Sequence, residues 1–237
     1  MMTRMILTVL LGLIGIAAAG CASHAPPAQD DIRHQVARQY GLEAFDQVEA
    51  LRFTFNAQVG AKQVRRAWVW NPTTGQVTFW ADSQAAGRTF NHPLPTDTTD
   101  PALRELDAKF VNDRYWLLFP LHLAWDRSAV VEERGRAPRP LGAGQARLIE
   151  VRYPPTGGYT PGDVYELFIG RDGRIAEWVY HRGGDAQPTR LSTWEDHRRI
   201  GPLLVARDHR GPEGFRVWFS DLALKRVDGE AWLYPEE

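Results

Sequence analysis

The chain has 237 residues, with 28 Lys and Arg against 29 Asp and Glu, a formal charge of -1. That balance offers no basic stripe for nucleic acid, and 43% hydrophobic content with nine tryptophans excludes a disordered chain. A single cysteine, Cys21, excludes an intrachain disulfide, so an exported domain would rest on packing alone.

Residues 1–20 carry one positive charge, Arg4, then an uncharged apolar run over 5–19 that closes on small residues. This is the three-part layout of a secretory signal. The run is shorter than the ~20 residues of a membrane-spanning helix. The sequence AAGC at 18–21 resembles the lipobox of bacterial lipoproteins, in which cleavage leaves Cys21 first and lipidated. At ~0.8 kcal/mol per buried methylene, two or three acyl chains on Cys21 would hold the protein to a bilayer. By the same resemblance, Ala22 in place of an Asp favours the outer membrane, with the protein facing the periplasm. The expected division is therefore a signal peptide (1–20), a lipidated cysteine with an Ala/Pro-rich tether (21–29), and one domain (30–237).

Within that domain, Ile32, Val36, Tyr40, Leu42 and Phe45 follow helical spacing, with a break expected at Gly41. Residues 51–59 alternate cleanly, with Leu51, Phe53, Phe55, Ala57 and Val59 on one side of a strand. Residues 62–71 put Val64, Arg66, Trp68 and Trp70 on one face, and residues 76–82 alternate after a turn at 72–75. These three runs predict an antiparallel meander. Because Phe79 and Trp80 are neighbours, one of them must point away from the face the other joins.

Asp100 followed by Pro101 predicts a helix start, with Asp as N-cap and Pro at the first helical position. Leu103, Leu106, Phe110 and Leu117 fall near one face of that helix, and Pro120 should end or kink it. Strands are expected to resume at 129–134, 146–153, 164–169, 174–182, 189–198, 203–210, 215–225 and 231–234. Asp-Gly turns mark two of the connections, at 172–173 and 228–229. About ten antiparallel strands exceed what stays flat, so the sheet should curl or split. The expected fold class is mainly β (α+β): a large curved antiparallel sheet forming an open half-barrel, its concave face covered by the N-terminal helix and the helical insert.

The layout of early helix, meander, helical insert and further strands resembles the LolA/LolB-like lipoprotein carriers. The runs FVNDRYWLLFP (110–120), YTPGDVYEL (159–167), TWEDH (193–197) and GPLLVA (201–206) look like one branch of that superfamily. The likeness covers about residues 30–225 and implies an unclosed barrel whose apolar cavity holds acyl chains. Two features of the family find no match in the sequence. The loop 154–162 offers only Tyr159 as a membrane-inserting side chain, and no arginine stands out as the one that would hold the helical lid.

Residues for chemistry are sparse. No Gly-x-Ser-x-Gly elbow occurs. Adjacent carboxylates, Glu132 with Glu133 and Glu195 with Asp196, point to opposite faces of a strand. Glu195 and His197 share a face, but a hairpin about Gly201 puts His209 beside Trp194 on the other one, so no third metal ligand follows. His122, in an apolar stretch, reads as a core histidine with a hydrogen-bond partner. The expected protein is thus not an enzyme and uses no metal or cofactor. It is a monomeric, lipid-anchored carrier or sensor of acyl chains from lipids or lipoproteins, lined by Phe53, Phe55, Trp68, Trp70, Phe79, Phe110, Trp116 and Phe119. The alternative is a non-catalytic envelope module whose core is filled by its own side chains and which docks a protein partner.

Overall fold

A computed structural model of the protein describes residues 31–81 and 86–237. The expected signal peptide, Cys21 and the tether lie outside the described residues. Helix α1 (Ile32–Gln39) starts at Asp31, whose side chain accepts from the Arg33 amide. It ends where Gly41 turns left-handed (φ 96°), and a short 3-10 turn, Leu42–Gln47, leads into the first strand. Only glycine fits there: a Cβ at position 41 would meet the Pro202 carbonyl oxygen at 2.4 Å.

Strands β1 (Val48–Val59), β2 (Lys62–Trp70) and β3 (Gln76–Trp80) form the expected meander. A short β4 (Arg88–Asn91) extends it before the insert. Helix α2 (Pro101–Trp125) is capped by Asp100, which accepts from the Ala102 and Leu103 amides. Pro120 does not stop this helix. It kinks it, with Leu118 leaving helical geometry (φ -118°, ψ 16°). Around the kink, residues 117–123 are all buried.

Nine strands follow: β5 (Val130–Pro138), β6 (Gln145–Arg152), β7 (Val164–Ile169), β8 (Ile175–His181), β9 (Arg190–Thr193), β10 (Glu195–Ile200), β11 (Leu203–Arg210), β12 (Arg216–Arg226) and β13 (Trp232–Leu233). They do not complete one continuous sheet. The order β10-β11-β12-β1-β2-β3-β4, with β13 on β12, makes an eight-stranded sheet, and β5 to β9 make a five-stranded one. The strand expected at 189–198 is divided between them at Trp194. On one side of Trp194 the chain pairs with β8, and on the other with β11. The result is a mainly β, open half-barrel that does not close, with α2 in its concavity.

Aromatic contacts show how the helix sits. Phe110 meets Trp68 and Trp70 of β2 at 5.4 and 5.8 Å between ring centres. Trp116 and Phe119 meet Trp178 of β8 at 4.6 and 5.2 Å. A single helix therefore bridges both sheets, and one apolar core runs across all three elements. No helix among the described residues is long and apolar enough to cross a membrane.

Candidate functional site: an aromatic cleft beside a helical plug

On β1 and β2 the strand alternation sorts the residues by face. Phe53 pairs with Trp68 and Phe55 with Arg66 in the register, all on the side that faces α2. An arginine on that face needs a counter-charge, and α2 supplies one. Asp113, fully buried, accepts from Arg66 Nε at 2.7 Å and Arg66 Nη2 at 2.5 Å. Trp68 Nε1 and Asn112 Nδ2 add bonds at 2.9 and 3.0 Å. Burial pushes the Asp113 carboxyl above the usual carboxylate range, and the four donors oppose that shift. The guanidinium also lies 4.8 Å from the centre of the Phe55 ring. Arg66 thus ties the plug to the sheet, and the structure singles out an arginine that the sequence did not.

Around this tie the interior is filled. Phe53, Trp68, Phe110 and Phe119 are fully buried, Trp70 and Phe55 nearly so. Phe79 packs on Trp68 at 4.8 Å and borders a small surface pocket with Leu106 and Lys109. Its neighbour Trp80 points the other way. It joins Arg52, Arg65, Arg207, Trp232 and Tyr234 along an open groove of about 870 Å³ on the outer face of the sheet.

Space on the concave side remains at two places flanking α2. The first is a cleft of about 370 Å³ between the two sheets at the mouth of the half-barrel. Its walls include Phe55, Trp116, Tyr165, Trp178, Phe215 and Val217, with Arg66 and Arg190 at its edges. The size falls within the ~300–1,000 Å³ of ordinary ligand pockets. The second, about 510 Å³, lies on the neighbouring face of α2 against the loop 153–160. Of the eight aromatic residues expected to line a ligand, the structure brings Phe55 and Trp116 to the first cleft and places the others in or near the packed core. Tyr165, Trp178 and Phe215 add to its aromatic wall, as do Tyr115, Tyr159 and Tyr180. The strand alternation was readable, but which sheet would face α2 was not.

The histidines divide by partner. His122 is buried, with Nδ1 3.1 Å from Asp126. His197 bonds the Tyr40 hydroxyl at 3.0 Å, while Glu195 turns toward Arg210 at 3.6 Å, so the two do not converge. His209 stands beside Trp194 at 4.6 Å, as the hairpin about Gly201 requires. Among the described residues no group of three potential metal ligands occurs.

His209 is fully buried, and burial holds its pKa down to about 3. The unfolded chain takes up this proton near the ordinary value of 6.5, whereas the folded chain excludes it until about pH 3. Stability present at neutral pH is therefore lost as pH falls below 6.5, by about 1.4 kcal/mol per unit from this group. Burial also lowers His122 and His197, which act with the same sign. Urea denaturation should show a loss on the order of 2 kcal/mol between pH 7 and pH 5, above the main carboxylate range. His209→Phe should flatten that dependence, and an unchanged slope in the variant would assign the loss elsewhere.

Fold and site define a class: an open antiparallel half-barrel, plugged by a helix and carrying an aromatic cleft at its mouth. This is the architecture that the resemblance to LolA/LolB-like carriers implies. Comparison with protein families finds no match to this sequence. Comparison with curated proteins finds none either. Among solved structures, the chain is similar to a DUF1329 family protein from Desulfovibrio piger. That pair is 10% identical over 84% of this chain and 93% of the other, with a TM-score of 0.43. It is also similar to a domain from Vibrio parahaemolyticus provisionally assigned as an outer membrane lipoprotein-sorting protein. There the identity is 8% over 85% of this chain and 95% of the other, with a TM-score of 0.43.

Proposed function

We propose that the protein is a lipid-anchored envelope protein, held through Cys21 and facing the periplasm, that binds an acyl chain of a lipid or lipoprotein as carrier or sensor. In this reading residues 1–20 are removed, 21–29 tether, and the domain from residue 30 onward binds. The observation that carries it is the aromatic cleft at the mouth of the half-barrel, whose walls are rings from both sheets and from α2. Burying a chain of a dozen methylenes there would supply on the order of 10 kcal/mol before ordering costs, enough to bind without specific polar contacts. The filled interior deeper in means the chain lies along the cleft, and a second chain requires α2 to shift.

That filled interior also favours a second reading, an envelope module that docks a protein partner and holds no ligand. The two separate on Trp116, which forms part of the cleft wall and touches Trp178 and Phe215. Titrating the soluble domain with a neutral monoacylglycerol should shift tryptophan fluorescence saturably. Trp116→Ala should weaken binding at least about tenfold, as expected when a large aromatic contact is lost. No saturable binding to the unaltered protein would leave the docking module as the reading.

A further inference from the structure

The second cavity contains a cation with no hydrogen-bond or ion-pair partner. Arg114 lies on α2 three residues after Val111, and Val111, Arg114, Tyr115, His122, Trp125 and Asp126 form one stripe of the helix along that cavity. The Arg114 guanidinium carbon sits 5.0 Å from the centre of the Trp70 ring and 5.3 Å from that of Phe110. Part of the side chain reaches the surface, but its Nε is enclosed and has no hydrogen-bond partner. Among the described residues no carboxylate lies at ion-pair distance from it, although Asp126 and Asp107 act on it from further off. By contrast, Arg127 on the same cavity is exposed, and Arg66 in the adjoining cleft is paired with Asp113.

Nearby carboxylates are already engaged. Asp126, which also lines the cavity, accepts from the Tyr115 hydroxyl at 2.5 Å, the Tyr153 hydroxyl at 2.8 Å and faces His122 at 3.1 Å. Asp107 accepts from the Tyr159 hydroxyl and pairs with His92 at 2.6 Å. Burial lowers the Arg114 pKa, and the nearby Tyr115, Asp126 and Asp107 offset only part of that shift. Such a group costs stability unless a ligand supplies the missing acceptor.

The two clefts meet, since Val111, Tyr115, Tyr159 and Thr160 line both. We infer that the ligand is an anionic amphiphile, its chain in the aromatic cleft and its oxyanion head in the neighbouring cavity on Arg114, with the Thr160 hydroxyl as a further donor. This rests on the acyl-chain reading above and adds the chemistry of the head group. An oxyanion bound to a desolvated guanidinium forms paired, charge-assisted hydrogen bonds, which neutral heads cannot match.

The test compares three probes on the soluble domain by calorimetry: palmitate, the neutral alcohol hexadecanol, and acetate as the head without the chain. Palmitate should bind about 10- to 100-fold more tightly than hexadecanol, the range expected of a hydrogen bond to a charged group. Acetate alone should bind far more weakly than either, so that a free small anion is ruled out as the natural occupant. Arg114→Met should bring palmitate down to the affinity of hexadecanol and weaken hexadecanol far less, while Arg114→Lys keeps most of the preference. Equal binding of palmitate and hexadecanol by the unaltered protein overturns the head-group assignment and leaves the chain cleft standing. A preference that survives in Arg114→Met also overturns it. Acetate binding as tightly as palmitate overturns the amphiphile in favour of a small free anion. If neither chain binds, the acyl-chain reading itself fails.

Discussion

Replacing Arg66 by alanine should destabilise the domain by about 3–5 kcal/mol, the usual cost of stripping one partner from a buried ion pair. The reason lies in Asp113, which has no exposed surface and would keep only the Trp68 and Asn112 donors. Substituting both members together, Arg66→Met with Asp113→Leu, should cost much less, because it removes the uncompensated charge along with the pair. Denaturant unfolding of the three proteins measures this directly. A loss below about 1 kcal/mol for Arg66→Ala would mean that aromatic packing, and not the ion pair, holds α2 in the concavity.

Phe110→Ala carries a comparable expected loss, about 3–5 kcal/mol, for a different reason. Phe110 is fully buried where β2 and the plug meet, touching Trp68, Trp70, Phe90 and His92 within 6.5 Å between ring centres. Those partners sit on strands and a loop braced by the sheet, so the space cannot collapse after truncation. Trp116→Ala, at the partly exposed cleft wall, should cost less stability, because water already reaches one side of that ring. A small loss for Phe110→Ala would show that the centre of the half-barrel is loosely packed, and therefore open to a ligand from within. A large one supports binding along the cleft only.

Local signals explain why much of the fold could be read in advance. The α1 boundary follows from Gly41, the α2 start from Asp100 and Pro101, and the kink from Pro120. Strands β1, β2, β7 and β11 fall within a few residues of their expected ranges. Other features have no local signal. β4 is four residues long and mostly exposed, too short to show a period. No turn residue interrupts the run 189–198 at Trp194, and only the competing partners β8 and β11 divide it.

The site was legible in kind more than in detail. An arginine in register with Trp68 and Trp70 on a core-facing strand was the available sign that a buried carboxylate must lie opposite, though nothing in the sequence points to Asp113. The aromatic excess was plain, but its division between core and cleft depends on how far the two sheets stand from α2. Phe55 and Trp116 reach the open mouth, while Phe53 and Phe119, equally apolar, are enclosed. Arg114 could not be recognised at all, since a lone arginine on a predicted helix is ordinarily solvated. Only its enclosure against Trp70 and Phe110 with no hydrogen-bond partner for Nε distinguishes it in the folded chain.

The most direct test of the account is native mass spectrometry of the domain, Cys21 replaced, purified from the bacterial envelope without added detergent, followed by lipid extraction. A carrier or sensor of this kind should emerge with a bound species carrying a single acyl chain, released on denaturation and depleted in Trp116→Ala. A protein that emerges at its bare polypeptide mass, and stays so after incubation with fatty acids and lipopeptides, would contradict the acyl-chain reading.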